Sequence, residues 1–271
     1  MLEAFFLPVD PGQRFCILST PAGAARRAVV YIHPFAEEMN KARRMAALLA
    51  RQLAAEGCAV LQIDLLGCGD SSGEFSEARW HAWQRDAQTA VRCISRRYPV
   101  PVTLWGLRLG AMLAADVAQD ASLGIEHLIL WQPVSNGGQF LSQFVRLRLA
   151  SEMLASGAAT TALRELTEEL RRGGMLEIAG YELHADLAAQ IESLKLEALR
   201  PAVKRVDWLE VLADRTLSLR PAAKRVLDKW RGDGIEANGQ HALGEPFWST
   251  LEIAECEELL ELTAAATRRL A

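Results

Sequence analysis

The stretch Leu104-Trp105-Gly106-Leu107-Arg108-Leu109-Gly110-Ala111 leaves the chain few choices. The apolar run Val102 to Trp105 reads as a strand, two glycines flank a sharp turn, and Leu109 to Ala118 continues as an alanine-rich helix. Glycines two places either side of a central residue let such a turn pack tightly and lift the central side chain above a sheet, the geometry of a nucleophile elbow. Here the central residue is Arg108. A guanidinium stays protonated and offers donors only, so it cannot attack a carbonyl. A cation at a helix N-terminus is unfavourable by roughly 0.3–1 kcal/mol unless an anion lies close, so a negative partner is expected. Two sources remain open: a ligand, which makes Arg108 an anion or carbonyl-oxygen binder on a pocket floor, or an Asp or Glu of the chain in a structural pair.

The remaining chain builds a sheet around this turn. Glu3 to Leu7 and Arg14 to Thr20 read as an antiparallel pair across Pro8-Val9-Asp10-Pro11-Gly12. Ala28 to Ile32, Ala59 to Ile63, His127 to Trp131, Val206 to Leu212 and Ile235 to Leu243 are further strands, several continuously apolar as in a sheet covered on both faces. Helices are expected over Lys41 to Glu56, Trp80 to Tyr98, Pro221 to Arg231 and Thr250 to Leu270. Gln139 to Leu199 breaks the alternation. It reads as mostly helical, with Phe140, Phe144, Leu147 and Leu154 on one face and Arg146 and Arg148 interleaved. The expected organisation is a mostly parallel sheet with helices on both faces, its core formed by residues 1–138 and 201–271, with 139–200 inserted as a helical lid or cap.

Charge and cysteine usage narrow the partners. A net charge of −4 with both signs interspersed offers no footprint for nucleic acid or an anionic surface. The first residues lack a signal-peptide pattern, and no apolar run reaches the length of a membrane span. The five cysteines are scattered without C-x-x-C pairing, which argues against a disulfide framework and a zinc site and fits the reducing cytoplasm. Asp64 to Gly73 is glycine-rich but lacks the phosphate-loop lysine and the G-x-G-x-x-G spacing. No metal or cofactor is expected.

Taken together, the turn after Ile32, the Asp64 to Ser71 loop, the elbow and the inserted segment resemble an α/β-hydrolase over nearly the whole chain. More narrowly, Pro34-Phe35-Ala36-Glu37-Glu38-Met39-Asn40-Lys41, Gly106 to Ala111, Trp131-Gln132-Pro133 and Gly244-Glu245-Pro246-Phe247-Trp248 resemble the exosortase A system-associated hydrolase 2 family. That resemblance implies a link, by genomic neighbourhood, to exopolysaccharide production and PEP-CTERM protein sorting in Gram-negative bacteria. It also implies that an arginine in the elbow belongs to the family's pattern.

The fold's chain order of nucleophile, acid and histidine can be laid on these residues. Arg108 fills the first slot. Asp214 and Thr216 follow the strand that ends at Leu212, and Glu245 or Pro246 falls where the histidine belongs; His241, slightly upstream, would serve as base under a shifted register. His33 lies in the turn that supplies an oxyanion-hole N–H, a place for packing or hydrogen bonding. His81, His127 and His184 have no charged partner at readable spacing, Ser71 and Ser72 read as turn residues, and Cys68 has no histidine beside it. Ligands in such sheets bind beyond the strand ends, so His33, Phe35, Glu38, Asn40, Asp70, Arg108, Trp131, Gln132, Glu245 and Trp248 are the candidate binding residues. Either acidic groups neutralise Arg108 and leave room for a sugar stacked on tryptophan, or Arg108 with Arg43 or Arg44 clamps a carboxylate or phosphate. Three functions follow: a non-catalytic binder of a small molecule, an ester or acyl hydrolase using a noncanonical nucleophile or activated water, and a scaffold whose lid meets another protein. A homodimer is compatible with each.

Overall fold

The computed structural model describes residues 1–156, 163–214 and 216–269. β1 (Leu2–Pro8) and β2 (Gln13–Ser19) form an antiparallel hairpin. Then β3 (Arg27–Ile32), α1 (Glu37–Ala55), β4 (Cys58–Ile63), α2 (Trp80–Arg97), β5 (Val102–Leu107), α3 (Leu109–Val117) and β6 (Ile125–Trp131) alternate. The segment between β6 and the next strand of the large sheet carries α4 (Gly137–Ser156), α5 (Leu163–Arg171), β7 (Met175–Ile178), β8 (Tyr181–His184) and α6 (Ala185–Ser193). The chain then returns through β9 (Arg205–Leu212), α7 (Pro221–Gly232), β10 (Glu236–Leu243) and α8 (Glu257–Arg268).

Eight strands form one sheet in the order β1-β2-β4-β3-β5-β6-β9-β10, parallel from β4 onward. Alternation along each strand sends neighbouring side chains to opposite layers. Val29, Trp105 and Ile129 pack against Met45, Leu49 and Leu53 of α1 and Leu259 of α8. Val30, Leu104 and Leu128 face Trp83 and Val91 of α2, Met112 of α3 and Trp230 of α7. Both faces are covered, which is why β3, β5 and β9 are buried at every position. From β3 the chain winds first to β4 on one side and then to β5 on the other, so the turns after β3 and β5 part and leave a crevice between them.

Two expectations about local structure need correction and one needs an addition. α1 starts at Glu37 rather than Lys41, because Ala36, at φ 51°, already ends the turn and acidic Glu37 and Glu38 suit a helix N-terminus. The described residues between Gln139 and Leu199 are mostly helical, as expected, and add one antiparallel pair, β7 and β8, joined through Ala179-Gly180, both at positive φ. Two such residues suit a primed turn, but alanine at the first hides the usual Asn-Gly signal. The closing helix starts at Glu257, not Thr250, and its expected end at Leu270 lies outside the described residues. Phe140 and Phe144 are buried and Leu147 is 41% exposed, whereas the side chain of Leu154 also lies outside the described set.

Candidate functional site

The elbow is built by close backbone packing. A Cβ on Gly106 would run into Gly110 O and Ala111, and one on Gly110 into His33 O and Ile32 O. Arg108 between them sits at φ 56°, ψ −118°, with its N–H donating to Trp131 O (2.9 Å) and its carbonyl accepting from Val134 N (3.2 Å). Ala36 (φ 51°) and Gln132 (φ 41°) are strained in the turns after β3 and β6. Each such residue costs of the order of 1–3 kcal/mol, and such strain concentrates where a fold presents side chains to a ligand.

Arg108 has its negative partner in the chain. Its Nε donates to Glu38 Oε1 at 3.1 Å, across the crevice between the turns after β3 and β5. The guanidinium lies 5.9 Å from the Phe140 ring centroid and 5.6 Å from that of Trp248, a cation held by two aromatic faces. Its Nη groups make no hydrogen bond to the described residues, and Glu38 Oε2 is buried without a partner. Burial pushes the Glu38 carboxyl up to about 7 although Arg108 pulls it down. Beside the pair opens a cleft of about 240 Å³, lined by Glu37, Lys41, Phe35, Phe144, Gln143 and Ser249 among others.

Of the residues expected at the site, Phe35, Glu38, Arg108 and Trp248 are brought together. His33 is buried and is not part of the cleft lining. Its Nε2 accepts from Leu65 N (3.2 Å), so its Nδ1 carries the proton to Pro34 O (2.7 Å), and burial depresses its basicity. Trp131 and Gln132 are enclosed instead. The Trp131 indole donates to Thr263 Oγ1 (2.9 Å) in the α8 layer, and Gln132 Oε1 accepts from Val211 N (2.7 Å), tying β6 to β9. Asn40 is exposed and reaches Tyr181 OH (3.5 Å), and Glu245 lies in the turn after β10. Asp70 gives the Asp64 loop its backbone N–H (3.2 Å to Asp64 Oδ2), while Arg43 pairs with Asp64 and Arg44 with Glu255. The Ser71 hydroxyl accepts from Phe15 N (2.9 Å) and that of Ser72 from Gln13 N (3.0 Å), so both stitch the loop to β2.

The acid and histidine slots are equally informative. Asp214 is exposed, and its carboxylate accepts from Thr216 N (2.8 Å) within its own turn. His241 is half-buried inside β10, opposite Glu210 of β9, and no hydrogen bond among the described residues joins it to Asp214. From the loop after β10, Trp248 approaches the elbow side chain. A histidine–aspartate pair does exist elsewhere, correcting the expectation that His127 lacks a charged partner. His127 Nε2 lies 2.8 Å from Asp207 Oδ2, and Arg205 donates to the same carboxylate through Nε (2.7 Å) and Nη2 (3.0 Å). Thr103 Oγ1 is 3.4 Å from His127 Nδ1. This set resembles a triad in outline but is wholly buried near the amino ends of β5, β6 and β9, away from the cleft. Among the described residues no group of three or more His, Cys, Asp or Glu could hold a metal ion, and no helix is long and apolar enough to cross a membrane.

Sequence reasoning did not anticipate Glu37, Lys41, Gln143 and Ser249. The one-turn spacing of Glu37 and Lys41 on α1 was an available signal; Gln143 and Ser249 come from distant segments and left none.

A mostly parallel, doubly covered sheet with a strained elbow at the carboxyl end of β5 defines an α/β-hydrolase fold. Within that class the match is to the serine aminopeptidase S33 family over residues 23–174, more than half of the chain, and the chain belongs to that family. Est1E from Butyrivibrio proteoclasticus, solved with ferulic acid bound, is similar at a TM-score of 0.69 and 16% identity, covering 98% of this chain and 97% of that one. A highly thermostable carboxyl esterase from Bacillus coagulans, in complex with glycerol, gives 0.67 at 14% identity over 99% and 98%. Proline iminopeptidase from Mycobacterium smegmatis gives 0.59 at 15% over 98% of each. At these identities the likeness is one of fold. No curated protein matches the chain at a significant level.

Proposed function

We propose that this chain is a binding member of its family, one that recognises a small polar molecule instead of attacking it covalently. The observation that carries this reading is Arg108 at the elbow, paired with Glu38 and held between Phe140 and Trp248. No step of acyl transfer can begin from a guanidinium, and the side chain that meets it from the loop after β10 is an indole.

The remaining chemistry is that of recognition. The Nη groups of Arg108 can donate to a hydroxyl, carboxylate or phosphate oxygen, and Glu38 Oε2 can accept from a hydroxyl. Phe35 and Phe144 supply apolar walls, and their rings meet edge to face at 5.0 Å. A volume of about 240 Å³ sits at the small end of ligand sites, which suits a single sugar ring or a small anion. We place α4 to α6 over this cleft as a lid, since Phe140 and Phe144 of α4 close one side of it. The resemblance of the Pro34 to Lys41 and Gly244 to Trp248 segments to exosortase-associated hydrolases supports a cytoplasmic role alongside exopolysaccharide and protein-sorting systems.

One observation favours a second reading. A carboxyl near 7 is poised to take a proton from water, and Arg108 beside it could polarise a carbonyl, which together would make a noncanonical ester hydrolase. The test combines 4-nitrophenyl acetate turnover with thermal shift by glucose, acetate and phosphate, for the parent protein and Arg108→Ala, Glu38→Gln and His241→Ala. Absence of turnover, with stabilisation by one of the three that Arg108→Ala abolishes, is expected. Turnover lost in His241→Ala would sink the binding reading, and turnover lost only in Glu38→Gln and Arg108→Ala would install activated water in its place.

A further inference from the structure

On the opposite side of β3 from the α2 layer, between α1 and the β2 edge of the sheet, lies a second cavity, of about 190 Å³. It arises because α1 covers β3 and β4 but leaves β2 half-covered: Phe15 and Ile17 are only partly buried on that face. Strand register sets Ile17 beside Gln62 and Gln62 beside Tyr31, so one row across the sheet forms its floor. Ala46 and Ala47 of α1 leave the space above that row unfilled.

Two hydroxyls face this floor, and one of them is a buried orphan. Ser19, 3% exposed, has a buried Oγ with no partner, and Tyr31, 5% exposed, makes no hydrogen bond to the described residues. A buried polar group left unpaired costs about 1–3 kcal/mol, so the Ser19 Oγ calls for a partner. The rim carries two cations of different status. Arg43 is paired with Asp64 at 3.1 Å, whereas Arg51 is exposed and has no ion pair among the described residues. Arg51 and Ser19 both lie toward the amino end of β4, since Ser19 pairs with Val60 and α1 runs antiparallel to that strand.

We propose that this groove binds a small carboxylate with an apolar body, its carboxylate toward Arg51 and Ser19 and its body against Ile17, Phe15 and Ala46. The Ser19 hydroxyl and the unpaired Arg51 guanidinium at one end match an anion, and Ile17, Phe15 and Ala46 match an apolar body, with Gln62 on the floor and the Arg43–Asp64 pair on the rim beyond. The size is sufficient, because a cavity of about 150 Å³ already accepts benzene. This site is separate from the Arg108 cleft and does not depend on the function proposed for it.

The test is calorimetric titration of hexanoate at pH 8 into Arg108→Met, whose cleft has lost its guanidinium, and into Arg51→Gln, Ser19→Ala and Ala47→Trp made in that background, with hexan-1-ol as the uncharged control. Saturable one-to-one binding of hexanoate is expected. It should weaken about fivefold in Arg51→Gln, the scale of one exposed charge pair, and vanish when tryptophan fills the groove. Its persistence without the Arg108 guanidinium separates this site from the cleft. The proposal is overturned by no saturable heat up to about 10 mM hexanoate, which would mean that water alone occupies the groove. It is equally overturned by undiminished affinity in both Arg51→Gln and Ser19→Ala, or by retention in Ala47→Trp.

Discussion

Replacing Arg108 by methionine should destabilise the fold by an amount that grows with pH. Methionine keeps an unbranched stem in the strained elbow, so the backbone cost at φ 56° is common to both proteins and cancels. What changes is the field on Glu38. Its carboxyl is raised to about 7 in the folded chain, chiefly by burial, from an ordinary value of 4.5. A raised carboxyl binds more protons folded than unfolded, so the stability gained by holding that proton is full below 4.5 and is lost as pH climbs toward 7. Above 7 the parent protein loses no more from this group, because Glu38 is ionised against Arg108. Without the guanidinium the carboxyl rises further, and the loss continues at about 1.4 kcal/mol per pH unit. The extra destabilisation is therefore near zero at pH 6, roughly 1 kcal/mol at pH 8 and between about 2 and 3 kcal/mol at pH 9. A constant offset of about 1–2 kcal/mol for the lost contacts with Phe140 and Trp248 adds to it at every pH. Urea unfolding of the parent, Arg108→Met, Glu38→Gln and the double variant at pH 6 to 9 and constant ionic strength measures this directly. Parallel stability profiles for parent and Arg108→Met would refute the reasoning. With no titrating carboxyl left at position 38, the Glu38→Gln variant and the double variant should differ by a pH-independent amount.

The same pair governs ligand charge. Acetate or another small anion in the cleft should bind about tenfold more weakly at pH 8 than at pH 6, because Glu38 protonation leaves Arg108 uncompensated; Glu38→Gln should flatten the profile, as equilibrium titration would show. Gly110→Ala should cost about 3 kcal/mol or more in urea unfolding, since the added methyl meets the backbone carbonyls of Ile32 and His33 and no flexible side chain. Asp207→Ala should cost about 3–5 kcal/mol by leaving buried Arg205 without its bidentate partner, while binding in the cleft, measured on the folded fraction, stays unchanged.

Local pattern carried the fold because central strands such as β3, β4 and β5 are short, mostly apolar runs and helices such as α1, α2 and α7 repeat apolar residues at the helical period. It failed where the decisive contact is distant or the usual residue is missing. A negative partner for Arg108 follows from helix electrostatics alone, but nothing local says that the partner is Glu38, a position 70 residues away. The His127–Asp207 pair, separated by 80 residues, was hidden for the same reason. Trp131 and Gln132 show another limit. Their place at the end of β6 was readable, but the direction of each side chain depends on which layer the strand's alternation assigns it to, and Trp131 belongs to the α1 and α8 layer. The elbow shows why the shape of a turn is a poor witness to its chemistry. Gly106 and Gly110 are required by backbone contacts with Ala111 and the β3 turn, whatever side chain stands between them. The two glycines thus fix the turn, while what is presented from it is a separate matter: here a guanidinium, a carboxyl 3.1 Å away and the rings of Phe140 and Trp248.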